Sequence, residues 1–157
     1  MNRTYLFGAA GAAVTSLAVA AWAQTSSDDA PAPLKAPEAA ASVTTLAQGK
    51  EIYAANCASC HGANLEGQPD WRRRLDNGRM PAPPHDETGH TWHHADSDLF
   101  TITKLGVSAV VPGYESDMPA FDNILTDTEI TAVLDYIKST WPDRQRAVQA
   151  EVTANDE

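Results

Sequence analysis

The chain has two cysteines, and both lie in one five-residue run, Cys57-Ala58-Ser59-Cys60-His61. Thiols at i and i+3 fall on one helical turn, and an imidazole follows at once. Thiols so spaced can add across two porphyrin vinyl groups to give thioethers. The next residue then presents a ring nitrogen to the metal. Cys-x-x-Cys-His is the attachment signature of a c-type haem. Two other chemistries use such a pair. A thioredoxin-like dithiol sits near a strand–helix unit, and no βαβ pattern is visible here. Half of a zinc site needs further ligands at close spacing, which the remaining histidines would have to provide. Haem attachment needs no further assumption.

The elements that must position this run can be read on either side of it. Thr45-x-x-Gln48 matches a capping box and predicts a helix start, with Leu46, Gly49, Tyr53 and Cys57 on neighbouring turns. Glycine inside a helix costs about 1 kcal/mol relative to alanine, so Gly49 predicts close approach by another element. Thr126-Asp127-Thr128-Glu129 is a second capping box. After it Ile130, Val133, Leu134, Ile137 and Trp141 form one apolar stripe, which Pro142 stops. This helix is expected to cross the first at Gly49 and Tyr53. Asp96-Ser97-Asp98 can cap a short helix through Phe100 to Leu105, closed by Gly106. The β-branched Thr101, Ile102 and Thr103 leave a strand open there.

The segment between is unusual. Trp71-Arg72-Arg73-Arg74 is a basic cluster suited either to carboxylates or to a solvated helix end. His85, His90, His93 and His94 lie close together, with Asp86, Glu87 and Asp96 nearby. Imidazole and carboxylate suit copper or zinc, so a second metal site is one reading. Loop histidines at the surface, or beside haem carboxylates, are the other. Trp92 is a candidate for packing on a haem edge, its indole N–H donating to a propionate.

Outside these segments the chain reads as processing and linker sequence. Asn2-Arg3, the apolar run from Tyr5 and the small-x-small triplet Ala21-Trp22-Ala23 predict a signal peptide over 1–23. An uncleaved anchor is the alternative, since a span needs about 20 apolar residues. Residues 24–45, with Pro31, Pro33 and Pro37, read as a flexible linker. A folded domain is expected over 46–142 and a polar, frayed tail over 143–157. Net charge is −10, from 11 basic and 21 acidic residues. Loss of Arg3 with the signal would leave −11. Such a chain should not bind nucleic acid and should favour basic protein faces.

With Gly49-x-x-x-Tyr53, Cys57-x-x-Cys60-His61-Gly62, Met118-Pro119-Ala120-Phe121 and the stripe from Thr126, the chain resembles the class I cytochromes c over residues 46–142. The resemblance implies a small all-α fold around one covalently bound haem c, with first and last helices crossing. It implies His61 as one axial ligand of the iron and a methionine from a late loop as the other. Met118 stands in that position; Met80 lies in a proline-rich loop. It also implies that a loop proline carbonyl accepts a hydrogen bond from the proximal imidazole, and Pro69 is the nearest proline after the pentad. With both axial positions filled, the iron can only pass electrons. The expectation is therefore a periplasmic one-electron carrier between redox proteins, or a cytochrome subunit of an oxidoreductase, and not itself an enzyme. It would meet a membrane only through an uncleaved N-terminus. Other readings are an open sixth site doing peroxide or gas chemistry, and a copper-binding redox protein built on the histidine loop.

Overall fold

The computed structural model describes residues 38–156, with side chains from 45. The expected signal at 1–23 and the Pro-rich segment to 37 lie outside the described residues. Among the described residues there are five α-helices and no strand: α1 (Glu38–Asn56), α2 (Ala58–His61), α3 (Asp96–Leu105), α4 (Asp127–Ser139) and α5 (Asp143–Ala154). Two 3-10 turns, Thr91–His93 and Val107–Ala109, flank α3. No helix among the described residues is long and apolar enough to cross a membrane.

Helix α1 starts at Glu38, earlier than expected, so Thr45 lies inside it and not at its N-terminus. The reason is visible in Glu38-Ala39-Ala40-Ala41: alanine is the strongest helix former, and a composition that suggested a linker also extends a helix. The crossing lies where Gly49 predicts it. A β-carbon on Gly49 would be driven into the Ala132 carbonyl, 2.7 Å from its carbon and 2.9 Å from Tyr136 Cβ. Only a hydrogen fits, so the backbones of α1 and α4 meet there. Tyr53 packs against Tyr136 one turn on, with ring centroids 5.7 Å apart.

Helix α4 carries the capping box expected of it. The Thr126 N–H donates to Glu129 Oε2 at 2.8 Å, and the Glu129 N–H donates to Thr126 Oγ1 at 3.3 Å. Its stripe buries Ile130, Val133 and Ile137 with Ile52, Tyr53, Leu65, Leu99, Phe121, Leu125 and Trp141 in a single core. Helix α3 is helical throughout, which settles the strand alternative. Its cap position is Ala95, not Asp96. The Asp96 carboxylate instead accepts from Lys138 Nζ at 2.9 and 3.0 Å.

Residues 143–154, expected as a frayed tail, form α5. No apolar stripe announces this helix; polar side chains dock it. Gln149 is buried and its amide donates to Asp96 Oδ1 at 2.7 Å and Thr153 Oγ1 at 3.0 Å, with the His94 carbonyl at 3.4 Å. The Asp96 N–H donates to Thr153 Oγ1 at 3.1 Å. Helix α4 ends at Ser139, short of Pro142, and Pro142 serves as the N-cap residue of α5, since a helix start needs no N–H from it.

Residues 69–81 form an excursion pinched at its base. The Gln68 N–H donates to the Ala82 carbonyl at 2.9 Å, and the Ala82 N–H donates to Gln68 Oε1 at 2.9 Å.

Candidate functional site

Helix α1 delivers the cysteine run. The Cys57 N–H donates to the Tyr53 carbonyl at 2.9 Å, the His61 N–H to that of Cys57 at 2.9 Å, and the Gly62 N–H to that of Ala58 at 3.0 Å. The helical path thus continues through the pentad with only a small break at Cys57. Both thiols are free, Cys57 half-buried and Cys60 exposed. Burial, then the neighbouring Cys60, pushes the Cys57 thiol up to about 11, so it stays protonated at neutral pH. Tyr53, buried at the crossing, donates its hydroxyl to the Gly62 carbonyl at 2.9 Å. This ties the residue after His61 back to α1, and the same burial raises the Tyr53 pKa.

His61 is buried, with Nδ1 2.8 Å from the Pro83 carbonyl oxygen. A carbonyl can only accept, so Nδ1 carries the ring proton and Nε2 keeps its lone pair. Burial lowers the His61 pKa, and the Pro83 bond opposes this in part. The ring is neutral, with one nitrogen oriented by a backbone carbonyl and the other available to a metal.

The acceptor is therefore Pro83, whereas Pro69, the expected one, is exposed in the excursion. The cause is a clamp that the count of residues after the pentad could not reveal. Residues 65–68 lie along residues 82–85, with the His85 N–H donating to the Leu65 carbonyl at 2.8 Å beside the Gln68–Ala82 pair. Gly67, at φ +70°, sits where a β-carbon would lie 2.7 Å from the Pro83 carbonyl carbon. That close approach brings Pro83 under His61. Gly67 next to Gln68, before a run of prolines, was the available signal.

The histidines expected as a second metal site do not converge. His85 stacks on His61, with centroids 4.0 Å apart and planes 23° apart. His90 stacks on Trp71 at 5.5 Å and meets His94 edge-on at 5.4 Å. His93 lies against Trp92 at 3.6 Å. His85, His90 and His93 thus each lie against a different aromatic ring, His61, Trp71 and Trp92. Among the described residues no group of three or more His, Cys, Asp or Glu side chains could hold a metal ion.

The arginine cluster serves the excursion. The Arg72 guanidinium lies 4.3 Å over the Trp71 ring and donates to the Thr88 carbonyl at 3.3 Å, and Arg74 donates to the Gly78 carbonyl at 2.6 Å. Met118 is half-buried against the core, its N–H donating to Ser116 Oγ at 3.1 Å. It also lines an open cleft of about 340 Å3 with Arg79, Leu105 and Tyr114. Trp92 packs on the core, and its indole N–H is buried with no hydrogen-bond partner among the described residues. An orphaned buried donor is costly. A carboxylate carried by a bound group would satisfy it, and haem has two. With free thiols, an oriented imidazole and a thioether beside an apolar core, the residues fit a c-type haem.

Comparison with known proteins points the same way. The family model described as cytochrome c matches residues 46–141. The chain is similar to the fructose dehydrogenase cytochrome subunit of Gluconobacter japonicus, 31% identical over 114 residues. That match covers 69% of this chain but only 22% of the relative, so the chain spans about a fifth of that protein's length. It is also similar to cytochrome c-555 of Prosthecochloris aestuarii, 36% identical over 67 residues, covering 39% of this chain and 68% of the relative. No solved structure matches significantly.

Proposed function

This chain belongs to the cytochrome c family, and on that premise we propose that it is an exported single-haem electron carrier with Cys57 and Cys60 as thioether anchors and His61 and Met118 as axial ligands. Family membership together with the Cys-x-x-Cys motif implies one covalently bound haem c and a role in electron transfer. When bound, that haem supplies an Fe(III)/Fe(II) couple. The chain's own residues do the rest. The observation that carries the reading is the His61 Nδ1 bond to the Pro83 carbonyl at 2.8 Å, which leaves Nε2 unprotonated beside the two cysteines. Trp92 would give its orphaned N–H to a propionate. Tyr53 holds Gly62, and so the position of His61, through its hydroxyl. Met118 would close the opposite face, leaving no position for substrate and favouring outer-sphere transfer.

The apolar run ending in Ala21-Trp22-Ala23 supports export to the periplasm. The net charge of −10 supports brief encounters with basic faces of redox proteins, with on-rates that fall as salt rises. The likeness to a dehydrogenase cytochrome subunit favours one variant of this reading, in which the chain stays bound to an oxidoreductase. Co-purification of the tagged chain with a catalytic subunit would distinguish a resident subunit from a shuttle.

The direct test is the optical spectrum of the oxidised, haem-loaded protein at neutral pH. A weak far-red band of thioether sulfur on ferric iron, lost in Met118→Ala, is expected. A low-spin spectrum without that band overturns Met118 as ligand. A high-spin spectrum overturns the electron-carrier reading.

A further inference from the structure

Placing an imidazole beneath a metal requires more than a free lone pair. The ring must also be held against turning about the axis through Nε2, and one hydrogen bond at Nδ1 leaves that turn soft. His61 has a second restraint, on its face. The His85 ring lies over it, with centroids 4.0 Å and planes 23° apart. We propose that His85 is a positioning residue for the axial imidazole: stacked on His61, it fixes the plane in which His61 presents Nε2. This rests on the reading of His61 as the iron ligand and adds to it.

His85 can serve because it is itself held on every side. Its backbone N–H donates to the Leu65 carbonyl at 2.8 Å. Its carbonyl accepts from the Trp141 indole at 2.7 Å. Its Nδ1 lies 2.8 Å from Thr91 Oγ1, and the Thr91 hydroxyl lies 3.4 Å from the Pro84 carbonyl. A carbonyl cannot donate, so the hydroxyl proton goes to Pro84 and Oγ1 accepts the proton of His85 Nδ1. The ring edge is thus locked by a buried hydroxyl, while its backbone is pinned to Trp141 in the turn after α4. An aliphatic side chain would fill the same space but has no plane to impose and no N–H to fix one. The two rings also share one short stretch of chain: Pro83 orients His61 along its edge, and His85, two residues on, orients it across its face.

The imidazole plane is measurable because ligand π-donation lifts the degeneracy of the ferric d orbitals along that plane. The unpaired spin, and hence the order of the haem-methyl proton shifts, follows the ring's orientation. The experiment uses the full haem-loaded chain, oxidised, as wild type, His85→Ala, His85→Phe and Thr91→Val, with His61→Ala as the reference for ligation. His85→Ala is expected to reorder the haem-methyl shifts. His85→Phe, which restores a flat face, is expected to return them towards the wild-type order. Thr91→Val, which unlocks the ring without removing it, is expected to shift them in the direction of the alanine variant. A wild-type shift order in both His85→Ala and Thr91→Val overturns the proposal while leaving His61 as ligand. If His61→Ala keeps the wild-type low-spin spectrum, the ligand assignment falls and the proposal falls with it. Should His85→Ala fail to load haem, the phenylalanine and Thr91→Val variants decide on the same readout.

Discussion

Putting a methyl group on Gly49 sets two forces of opposite sign against each other. Helix propensity favours Gly49→Ala by about 1 kcal/mol. Packing opposes it. The new β-carbon would lie 2.7 Å from the Ala132 carbonyl carbon and 2.9 Å from Tyr136 Cβ, where carbon–carbon contacts rest at about 3.5–4.0 Å. Helices α1 and α4 must therefore part by roughly 1 Å. The obstacle is a backbone carbonyl, which cannot rotate away as a side-chain tip can. Overpacking of a closed core costs about 1–3 kcal/mol, and a rigid obstacle belongs at the upper end of that range. The expected net loss is about 2 kcal/mol, equivalent to a fall in Tm of roughly 10 °C for a domain of this size. The assay is thermal unfolding of the haem-loaded chain by far-ultraviolet circular dichroism. Ala54→Gly, on the exposed side of the same helix, serves as control and should cost about 1 kcal/mol from propensity alone. A Gly49→Ala protein as stable as wild type, or more so, would refute the crossing.

Three further outcomes are expected. Glu129 has its pKa lowered from the ordinary 4.5 by the Thr126 backbone and side-chain hydrogen bonds. A carboxylate depressed in the folded state stabilises it above its unfolded pKa, and that contribution is lost as pH falls through the folded value. Unfolding curves of wild type and Glu129→Gln should therefore differ at neutral pH and converge below pH 4.5; a gap that persists in acid contradicts the capping role. Trp92→Phe should destabilise the haem-loaded protein by about 1.5–3 kcal/mol, the range for a hydrogen bond to a charged group, and unchanged denaturation would mean the indole N–H meets no propionate. Gln149→Ala should cost about 1–3 kcal/mol by removing the buried amide that donates to Asp96 and Thr153, with faster hydrogen exchange at the amides of Asp96 and its neighbours; unaltered exchange would mean α5 does not hold that segment.

What the sequence made legible was local or short in range. The pentad, the Thr126 capping box and the stripe from Ile130 to Trp141 each state their geometry within a few residues. Gly49 was legible for the opposite reason: a residue that weakens its own helix needs an explanation outside it. The start of α1 was missed because alanine-rich composition suits a linker and a helix equally. Helix α5 was missed because it docks through Gln149 and Thr153, and amide and hydroxyl contacts leave no periodic trace. Pro83 displaced Pro69 because the acceptor is chosen by a chain reversal, and counting along the sequence cannot see a clamp that skips residues 69–81. The histidines looked like a ligand set when only their proximity was known. Their aromatic partners Trp71 and His61 come from other parts of the chain, and Trp92 stands next to His93 in the turn.

The pinch between Gln68 and Ala82 makes the chain modular. Both ends of the excursion are fixed where they meet, so what lies between is nearly uncoupled from the spacing of His61 and Pro83. Doubling the length of a closed loop costs only about 0.6 kcal/mol in entropy. The excursion is held to the rest of the molecule by surface pairings such as Arg72 to Thr88 and Arg79 to Asp117. Residues 69–81 can thus be lengthened, shortened or exchanged as a cassette, with the imidazole left in place. Changes within the excursion and changes at the imidazole can accumulate at different rates, because the hydrogen-bonded pair Gln68 and Ala82 separates them.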